Sequence, residues 1–320
     1  MQDSFTIRAK APFRLDYTVW ALRRRKTNII DNWDGQFYKR VMLVGKRPIL
    51  VCIVQKNIKA PTLTITTHHA VSDVEMSLLK KEIKRLFSLS CDLKKFYQVA
   101  AGHPKLHYLA KSFIGLKPPR FLTIFEACCN AVACQQLSLN VGIELLNRLA
   151  IHYGRKVRYE QKTYYAFPTA TRIAKCAPKA LQALGFSLRK ANTLIQIAKT
   201  LQNKDDELQV QMSLMTNDEI AEYLKKIKGI GRWSAEYILL RGLGRINIFP
   251  GDDIGAQKNL KRYFNLTKEL DYDVVMKVLQ PWSPYAGFVY FHLLLDNLNR
   301  SFDKTSNILA NNRTIIRQNH

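Results

Sequence analysis

Hydrophobic residues change their spacing near residue 85, and this change divides the chain. Before it, runs of β-branched and aromatic residues partly alternate with polar ones, which predicts strands. Turn-prone segments such as NWDG (32–35) separate these runs, and the helical stretch LDYTVWALRRR (15–25) interrupts them. We therefore predict an α+β region over residues 1–85. Its predicted strands are FTIRAK (5–10), YKRVMLV (38–44), PILVCIVQK (48–56) and TLTITTHH (62–69).

After this point, apolar residues recur every three or four positions, which predicts a helical region over residues 86–300. The stretch 121–154 is too long and too apolar for one surface helix, so we expect a bend at Gln135–Ser138 and a stop at Gly154. Residues 155–176 read as a polar connector with aromatic residues. Thr216 and Glu219 form a capping-box pattern before another helix. Residues 301–320 read as a frayed tail.

Charge narrows the classes of partner. The 320 residues include 50 Lys and Arg against 25 Asp and Glu, a net charge of +25. A folded protein this basic attracts polyanions; nucleic acid leads and an anionic membrane surface is the rival. No apolar run approaches the ~18 residues of a membrane helix, and the N-terminus lacks the apolar core of a signal peptide. We expect no membrane partner and a cytoplasmic protein, associated with the nucleoid if the source is prokaryotic.

The cysteines give no metal or disulfide pattern. The chain has no CxxC pair and no Cys/His cluster with the spacing of a zinc site. Reduced thiols in a cytosol-like compartment are the expected state. The cysteines are Cys52, Cys91, Cys128, Cys129, Cys134 and Cys176.

A glycine hairpin between two predicted helices spans residues 224–241. Gly229 and Gly231 permit φ > 0 and let the backbone approach a phosphate without an intervening Cβ. Amides at the start of the second helix favour an anion, and Lys228 and Arg232 add positive charge. This pattern predicts binding of DNA backbone without reading of its sequence. A tight αα-turn that binds no ligand is the alternative.

Two adjacent acids follow the hairpin. Asp252 and Asp253 stand after Phe-Pro-Gly and before another predicted helix. One of them could cap that helix, but one cap does not need two aspartates. An acid beside a DNA-binding hairpin also opposes the charge of the polyanion. This conflict indicates catalysis on a nucleotide in addition to binding.

These residues resemble those of a known family. The chain is similar to the helix-hairpin-helix (HhH-GPD) base-excision DNA glycosylases, and within them to the DNA-3-methyladenine glycosylase II family. The resemblance implies an α+β protein: a TATA-binding-protein-like β-sheet domain, then a mostly α-helical region of two lobes with the active site between them. It covers nearly the whole chain through PFRLDYTVWALRRR, GLKPPR, FEACCNAVACQQLSL, YYAFPT, LGFSLRKA, KGIGRWSAEYILLRGLGR, FPGDD and PWSPYAGFVYFHL.

The resemblance implies a monofunctional glycosylase that flips out alkylated purines and hydrolyses their N-glycosidic bond, leaving an abasic site. The catalytic aspartate corresponds to Asp253, and Asp252 becomes the loop or cap residue. A carboxylate there stabilises the positive charge that builds on the deoxyribose. Relatives that also nick the strand carry a lysine at the position of Trp233, so strand nicking is not expected here.

The same resemblance implies further contacts with DNA. The base pocket would use aromatic rings that suit a cationic base, with helix core packing as the alternative for each: Trp233, Tyr237 and Trp282. A wedge from the GLKPPR loop would fill the space left by the flipped base: Leu116 or Pro118. Three polar residues would approach the lesion or the minor groove, with a helix bend or cap as the alternative for the last: Gln135, Gln136 and Ser138.

The expected partner is damaged double-stranded DNA, bound by a monomer. No cofactor is required, although carbonyls of Ile227 and Gly229 would bind Na⁺ or K⁺ as in relatives. No cysteine lies beyond Cys176, so no iron–sulfur cluster is expected. Two alternatives stay open: a non-catalytic helix-hairpin-helix DNA-binding protein, and a glycosylase for oxidised purines. The lesion range, from 3-methyladenine and 7-methylguanine to hypoxanthine and ethenoadenine, also stays open.

Overall fold

The predicted strands of the first region form one antiparallel sheet in the computed structural model, which describes residues 3–202 and 204–303. The strands are β1 (Ser4–Arg8), β2 (Asn32–Trp33), β3 (Tyr38–Val44), β4 (Arg47–Asn57), β5 (Thr62–Thr67), β6 (Lys156–Tyr159) and β7 (Lys162–Tyr165). The sheet order is β1–β5–β4–β3–β2, and β6 pairs only with β7. Half of the predicted NWDG turn is therefore strand β2, which pairs with β3.

Helices cover one face of this sheet and continue through the rest of the chain. They are α1 (Leu15–Arg23), α2 (Asp73–Leu86), α3 (Lys94–Ala101), α4 (Pro104–Ser112), α5 (Ile124–Cys134), α6 (Leu139–Tyr153), α7 (Ala170–Ile173), α8 (Pro178–Gln182), α9 (Leu188–Leu201), α10 (Asp205–Ser213), α11 (Asn217–Lys225), α12 (Arg232–Ile238), α13 (Ile254–Phe264), α14 (Tyr272–Leu279) and α15 (Ala286–Asp303). A π-helical turn (Leu239–Leu243) continues α12, and a 3₁₀ turn (Gln280–Trp282) follows α14.

The alternation of residues explains the sheet. In β5, Leu63 and Ile65 are fully buried, while the alternating Thr62, Thr64 and Thr66 stay half-exposed. The buried side packs against Val19 of α1 and Ile83 of α2 in one core. The predicted α+β class is confirmed.

Several helix boundaries match the predictions. The stretch 121–154 breaks between α5 and α6 at Gln135–Ser138, and Gly154 ends α6. Thr216 and Glu219 form the predicted capping box of α11. Helix α15 runs to Asp303, past the predicted boundary at residue 300; residues 304–320 of the predicted tail lie outside the described residues. None of the helices described is both long and apolar enough to cross a membrane.

The segment 155–176 contains more structure than the predicted connector. Strands β6 and β7 form a hairpin joined by Glu160 and Gln161, both at positive φ. Val157 and Tyr164 of this hairpin are buried against Val41 of β3. The alternating pattern of these two strands is too short to be distinguished from a polar loop in the sequence. The hairpin is stabilised by contacts with a distant strand, which the local sequence does not show.

Two large apolar cores lie side by side. The first joins the sheet to helices α5, α6, α9 and α12, so the sheet has no core of its own. The second joins α3, α4, α13, α14 and α15 to residues of α1. Helix α12 belongs to the first core and α13 to the second. The loop between them, which carries both acids, therefore lies at the junction of the two lobes.

The GLKPPR loop is part of the interior, which corrects the predicted wedge. Leu116 is fully buried in the second core, and Pro118 is buried with its carbonyl accepting a 2.6 Å hydrogen bond from Ser88 Oγ. A wedge must project from the surface to enter DNA, and neither side chain does. Proline pairs look like a surface loop in the sequence, but here segments more than twenty residues away cover them.

Lys117 in this loop is a buried cation, and it makes stability depend on pH. Its Nζ donates to the Leu89 carbonyl at 2.7 Å. Burial lowers the pKa of Lys117 from its ordinary 10.5 to about 8. Between these values the unfolded chain binds more protons than the folded one, so this lysine makes the free energy of unfolding rise with pH.

We predict that Lys117→Met removes this dependence. The free energy of unfolding of the variant minus that of the wild type should be largest at pH 7.5 and should shrink towards pH 10, by about 1 kcal/mol for each pH unit. Urea unfolding at both pH values measures it. Lys111→Met, which removes an exposed lysine of α4, is the control and should show a constant difference. A constant difference for Lys117→Met would contradict the buried cation.

Candidate active site

The glycine hairpin joins α11 to α12, as predicted. Gly229 has φ +99°, and a Cβ there would lie 2.3 Å from Thr193 Oγ1 of α9. Thr193 also donates to the Lys228 carbonyl at 3.1 Å, so α9 holds the turn. Gly231 caps α12, and a Cβ added to it would meet no atom of the described residues within 4 Å. The hairpin thus packs inward at Gly229 and opens its backbone outward at Gly231, while the Lys228 side chain is exposed.

Gln135 fastens the hairpin to α5. Its Nε2 donates to the Gly229 carbonyl and to Ser234 Oγ, both at 2.8 Å, and its own carbonyl accepts from Lys190 Nζ at 2.7 Å. These contacts use the side-chain Nε2 of Gln135 to hold the hairpin, a task that its expected role at the lesion did not include. Ser138 is the N-cap of α6, and its side chain accepts a hydrogen bond from Val141 N. A cap is the alternative role that the sequence offered for this residue.

The turn between α5 and α6 exposes a residue that sequence reasoning missed. Gln136 is exposed with φ +54°, and Leu137 beside it keeps 43% of its surface exposed. Gln135 ties this turn to the hairpin, so Leu137 lies two residues from a contact with the hairpin backbone. The available signal in the sequence was a leucine between Gln-Gln and Ser, the one apolar residue of this short turn.

The two acids have distinct partners. Asp253 is the N-cap of α13, its Oδ1 accepting from Ala256 N at 2.9 Å. Asp252 pairs instead with Arg232, whose Nε and Nη2 lie 2.7 and 2.9 Å from its two oxygens. Of the two roles expected for Asp252, loop residue or cap, the structure shows the loop residue. Arg232 was expected to bind DNA backbone, yet a carboxylate already holds one edge of its guanidinium.

The second oxygen of Asp253 faces a tyrosine of α15. Tyr290 Oη donates to Asp253 Oδ2 at 3.4 Å. Burial raises the pKa of Tyr290 well above its ordinary value, and the Asp253 charge raises it further, so this hydroxyl stays protonated as a donor. Sequence reasoning missed Tyr290 because it lies 37 residues from its partner.

Two of the three predicted pocket rings lie together. Trp233 is half-exposed, and its ring centroid lies 5.4 Å from that of buried Tyr237. Behind them, Arg24 at the end of α1 donates to Tyr237 Oη at 2.8 Å. Burial raises the pKa of Tyr237, while Arg24 and Arg241 oppose this shift. Arg24 belongs to the stretch LRRR at the end of the first predicted helix, and the sequence alone indicated no role for it.

Trp282 lies elsewhere, which corrects its place in the pocket. Its ring packs 4.6 Å from Phe264, at the C-terminal end of α13. Asp253 caps the opposite end of this eleven-residue helix, roughly 16 Å away by helical rise. Helix packing, the alternative stated for this residue, accounts for it.

Comparison with known proteins agrees with this geometry. The family model for HhH-GPD superfamily base excision DNA repair proteins matches residues 129–284, which include the hairpin and both acids. A DNA-3-methyladenine glycosylase of Saccharomyces cerevisiae is 32% identical over 212 residues, 63% of this chain and 69% of the relative. The chain belongs to the HhH-GPD superfamily.

Further relatives extend this match along the chain. A DNA-3-methyladenine glycosylase of Bacillus subtilis is 27% identical over 295 residues, covering 92% of this chain and 97% of the relative. The solved structure of a 3-methyladenine DNA glycosylase from Archaeoglobus fulgidus superposes with a TM-score of 0.81 at 24% identity, covering 93% of this chain and 99% of that one. The HhH-GPD fold thus includes the N-terminal sheet.

We predict that Gly229→Ala destabilises the HhH-GPD hairpin. A Cβ there meets Thr193, and φ +99° is strained for alanine, so the free energy of unfolding should fall by about 2 kcal/mol. Gly231→Ala, which adds a methyl group in open space, should cost less than half as much. Urea unfolding compares them. Adding Thr193→Ala should rescue part of the loss, since strain remains; equal costs for the two glycines would contradict the close approach.

Proposed function

We propose that this protein is a monofunctional DNA glycosylase of base-excision repair that releases alkylated purines from double-stranded DNA. The carboxylate of Asp253 carries this proposal. One of its oxygens is fixed by the first turn of α13, and the other receives a long, 3.4 Å hydrogen bond from Tyr290. A helix cap needs only the first oxygen. The second is available to a nucleotide held between the lobes.

The chemistry follows from this carboxylate. Breaking an N-glycosidic bond builds positive charge on the deoxyribose, and a fixed carboxylate stabilises that charge without reorganising. The same oxygen can orient the water that attacks the sugar. An alkylated purine such as 7-methylguanine is already cationic, so it leaves without a strong general acid. Position 233 is tryptophan, which has no amine to form a Schiff base, so the product is an abasic site.

The base would stack on Trp233. An indole attracts a cationic purine through its π-face. Tyr237 contributes less of its face, because the Arg241 guanidinium already lies 5.7 Å from the centre of its ring. Tyr237 would instead contribute an edge or its hydroxyl, which Arg24 holds in position.

DNA backbone would bind at the open side of the hairpin. The amides near Gly231, with Gly229 shaping the turn and the exposed Lys228 beside it, suit a phosphate. Leu137 would enter the duplex as the wedge, and Gln136 would lie against the minor groove. A monomer suffices for this arrangement, and a cytoplasmic or nucleoid-associated location goes with it.

A monovalent cation fits the hairpin carbonyls. Ile227 O accepts from Ile230 N at 3.0 Å, and Gly229 O accepts from Gln135 Nε2 at 2.8 Å. Each carbonyl has a second lone pair, so both could bind Na⁺ or K⁺. Such an ion would stiffen the turn and add positive charge near a phosphate.

We predict that Asp253→Asn abolishes base release while the protein still folds and binds lesion DNA. Asparagine caps a helix as well as aspartate does, but it lacks the charge, so the rate should fall by roughly 100- to 1000-fold. Duplexes with single lesions, scored for abasic sites by alkali cleavage, measure it.

Asp271→Asn is the matched control, because Asp271 caps α14 through the same contact, accepting from Val274 N at 2.8 Å. It should leave the rate unchanged. Full activity in Asp253→Asn would remove Asp253 from the mechanism. A wild type that binds DNA but releases no base would favour the binding-protein alternative, and covalent trapping by borohydride would favour a lyase.

We predict that Leu137→Ala lowers base release about tenfold, because an empty stack lets the flipped base return. The loss should be smaller for a lesion opposite an abasic site, where the stack is already interrupted. Ile151→Ala is the control: Ile151 is 47% exposed on α6, roughly 18 Å along the helix from its start. Equal effects of the two variants would refute the wedge.

A further inference from the structure

We propose that a ring of contacts between α12 and α14 positions the loop that carries Asp253. In this ring Arg232 and Glu236 of α12 are positioning residues for catalysis, and Arg232 is not a phosphate ligand. The proposal rests on the proposed function for its catalytic consequence. The ring itself is a feature of the fold and can be tested separately.

The first contact joins α12 to the loop. Arg232 binds Asp252 through two parallel N–H···O bonds of 2.7 and 2.9 Å. A bidentate fork fixes orientation as well as distance. Because Asp252 directly precedes Asp253, this fork limits the path of the backbone into the cap of α13.

The second contact reaches the same loop from one helical turn further along α12. Glu236 is buried, and its Oε2 accepts from Gly251 N at 3.1 Å. Burial raises the pKa of Glu236, and the hydrogen bonds from Tyr272 and Gly251 oppose that shift. A buried carboxylate with two neutral donors stabilises little by itself. Its contacts instead fix the backbone just before the two acids.

Helix α14 closes the ring. Tyr272 Oη donates to Glu236 Oε1 at 2.6 Å, and the Arg232 guanidinium lies 3.8 Å from the centre of the Tyr272 ring. The loop backbone rests on that ring: a Cβ at Gly251 would come within 2.6 Å of it. Gly251 O also accepts from Gln257 Nε2 of α13 at 2.7 Å. Three helices therefore hold one short loop.

The spacing on α12 explains how one helix performs two tasks. Arg232 and Glu236 are four residues apart, and so are Trp233 and Tyr237. Each pair occupies its own face of the helix. The face with Trp233 and Tyr237 would contact the base, and the face with Arg232 and Glu236 contacts the acid loop. Helix α12 therefore contacts both the proposed base site and the loop that leads to the carboxylate.

Double-mutant kinetics test the positioning role. Arg232→Met and Asp252→Asn should each lower kcat roughly 10- to 100-fold on a 7-methylguanine duplex, because a small displacement of Asp253 is costly, and KM should change little. The double variant should be no worse than either single one. Swapping the charges, with Arg232→Glu and Asp252→Arg together, should restore part of kcat.

Salt dependence separates positioning from phosphate binding. Removing a phosphate contact lowers the slope of log K against log salt by about 1. Lys228→Met is the matched comparison, because it removes an exposed hairpin cation and should lower the slope by about 1. Arg232→Met should leave the slope of binding to an abasic-site duplex unchanged. A lowered slope with unchanged kcat in Arg232→Met would overturn the proposal.

Amide hydrogen exchange tests the ring without any activity. Exchange over residues 249–256 should accelerate at least tenfold in Glu236→Gln and in Tyr272→Phe, with thermal unfolding used to confirm that both variants fold. Lys225→Met, which breaks an exposed ion pair with Glu222 on α11, should change nothing there. Unchanged loop exchange in both variants would refute the ring even if the enzyme were inactive. Faster exchange with unchanged kcat would refute its catalytic role while the glycosylase assignment stands.

Discussion

A buried arginine ties the sheet to the helices, and the position of the hairpin depends on it. Arg40 of β3 is 1% exposed and pairs with Asp31 and with Glu126 of α5, both at 2.6 Å. Removing one partner of such a pair leaves an uncompensated charge and typically costs about 3–5 kcal/mol. The pairs therefore permit little rotation of α5. Its other end carries Gln135, which holds the hairpin, so the sheet helps to orient that hairpin through α5.

The position of the hairpin in turn fixes the position of α12, and α12 holds the loop that leads into the second lobe. The hairpin sets where α12 begins, and its two faces set the aromatic pair and the acid loop. Asp253 belongs to α13 and therefore to the other core. Tyr290, also from that core, donates to the carboxylate. The oxygen proposed to react thus belongs to the second core, beside the loop that joins the two cores.

Periodicity and local chemistry predicted most of the fold. The strands of the sheet, the break at Gln135–Ser138 and the capping box of α11 all depend on residues close in sequence. The contact between Trp233 and Tyr237 also depends on residues close in sequence, since they lie one helical turn apart. The predictions that failed depended on distant partners. Only the fold reveals that Ser88 covers the loop of Pro118, or that Trp282 packs at the far end of α13.

The roles predicted for the charged residues also failed where they depended on partners distant in sequence. Arg232 and Asp252 are twenty residues apart, so the sequence assigned each a separate role. Leu137 and Tyr290 needed a view of what surrounds them. An exposed leucine in a polar turn could have been noticed from the sequence. The contact of Tyr290 with Asp253 could not have been noticed, since the sequence around Tyr290 gives no sign of a distant partner.

The double role of Asp253, a helix cap that we propose also acts in catalysis, would have an evolutionary consequence. Its cap contact is a task that asparagine, serine or threonine performs about as well. An aspartate codon becomes an asparagine codon through one base change. A duplicated copy of the gene could therefore lose base release at almost no cost in folding or DNA affinity. Descendants that recognise damage without cutting the glycosidic bond, and recruit other factors to it, are thus one mutation away from the enzyme.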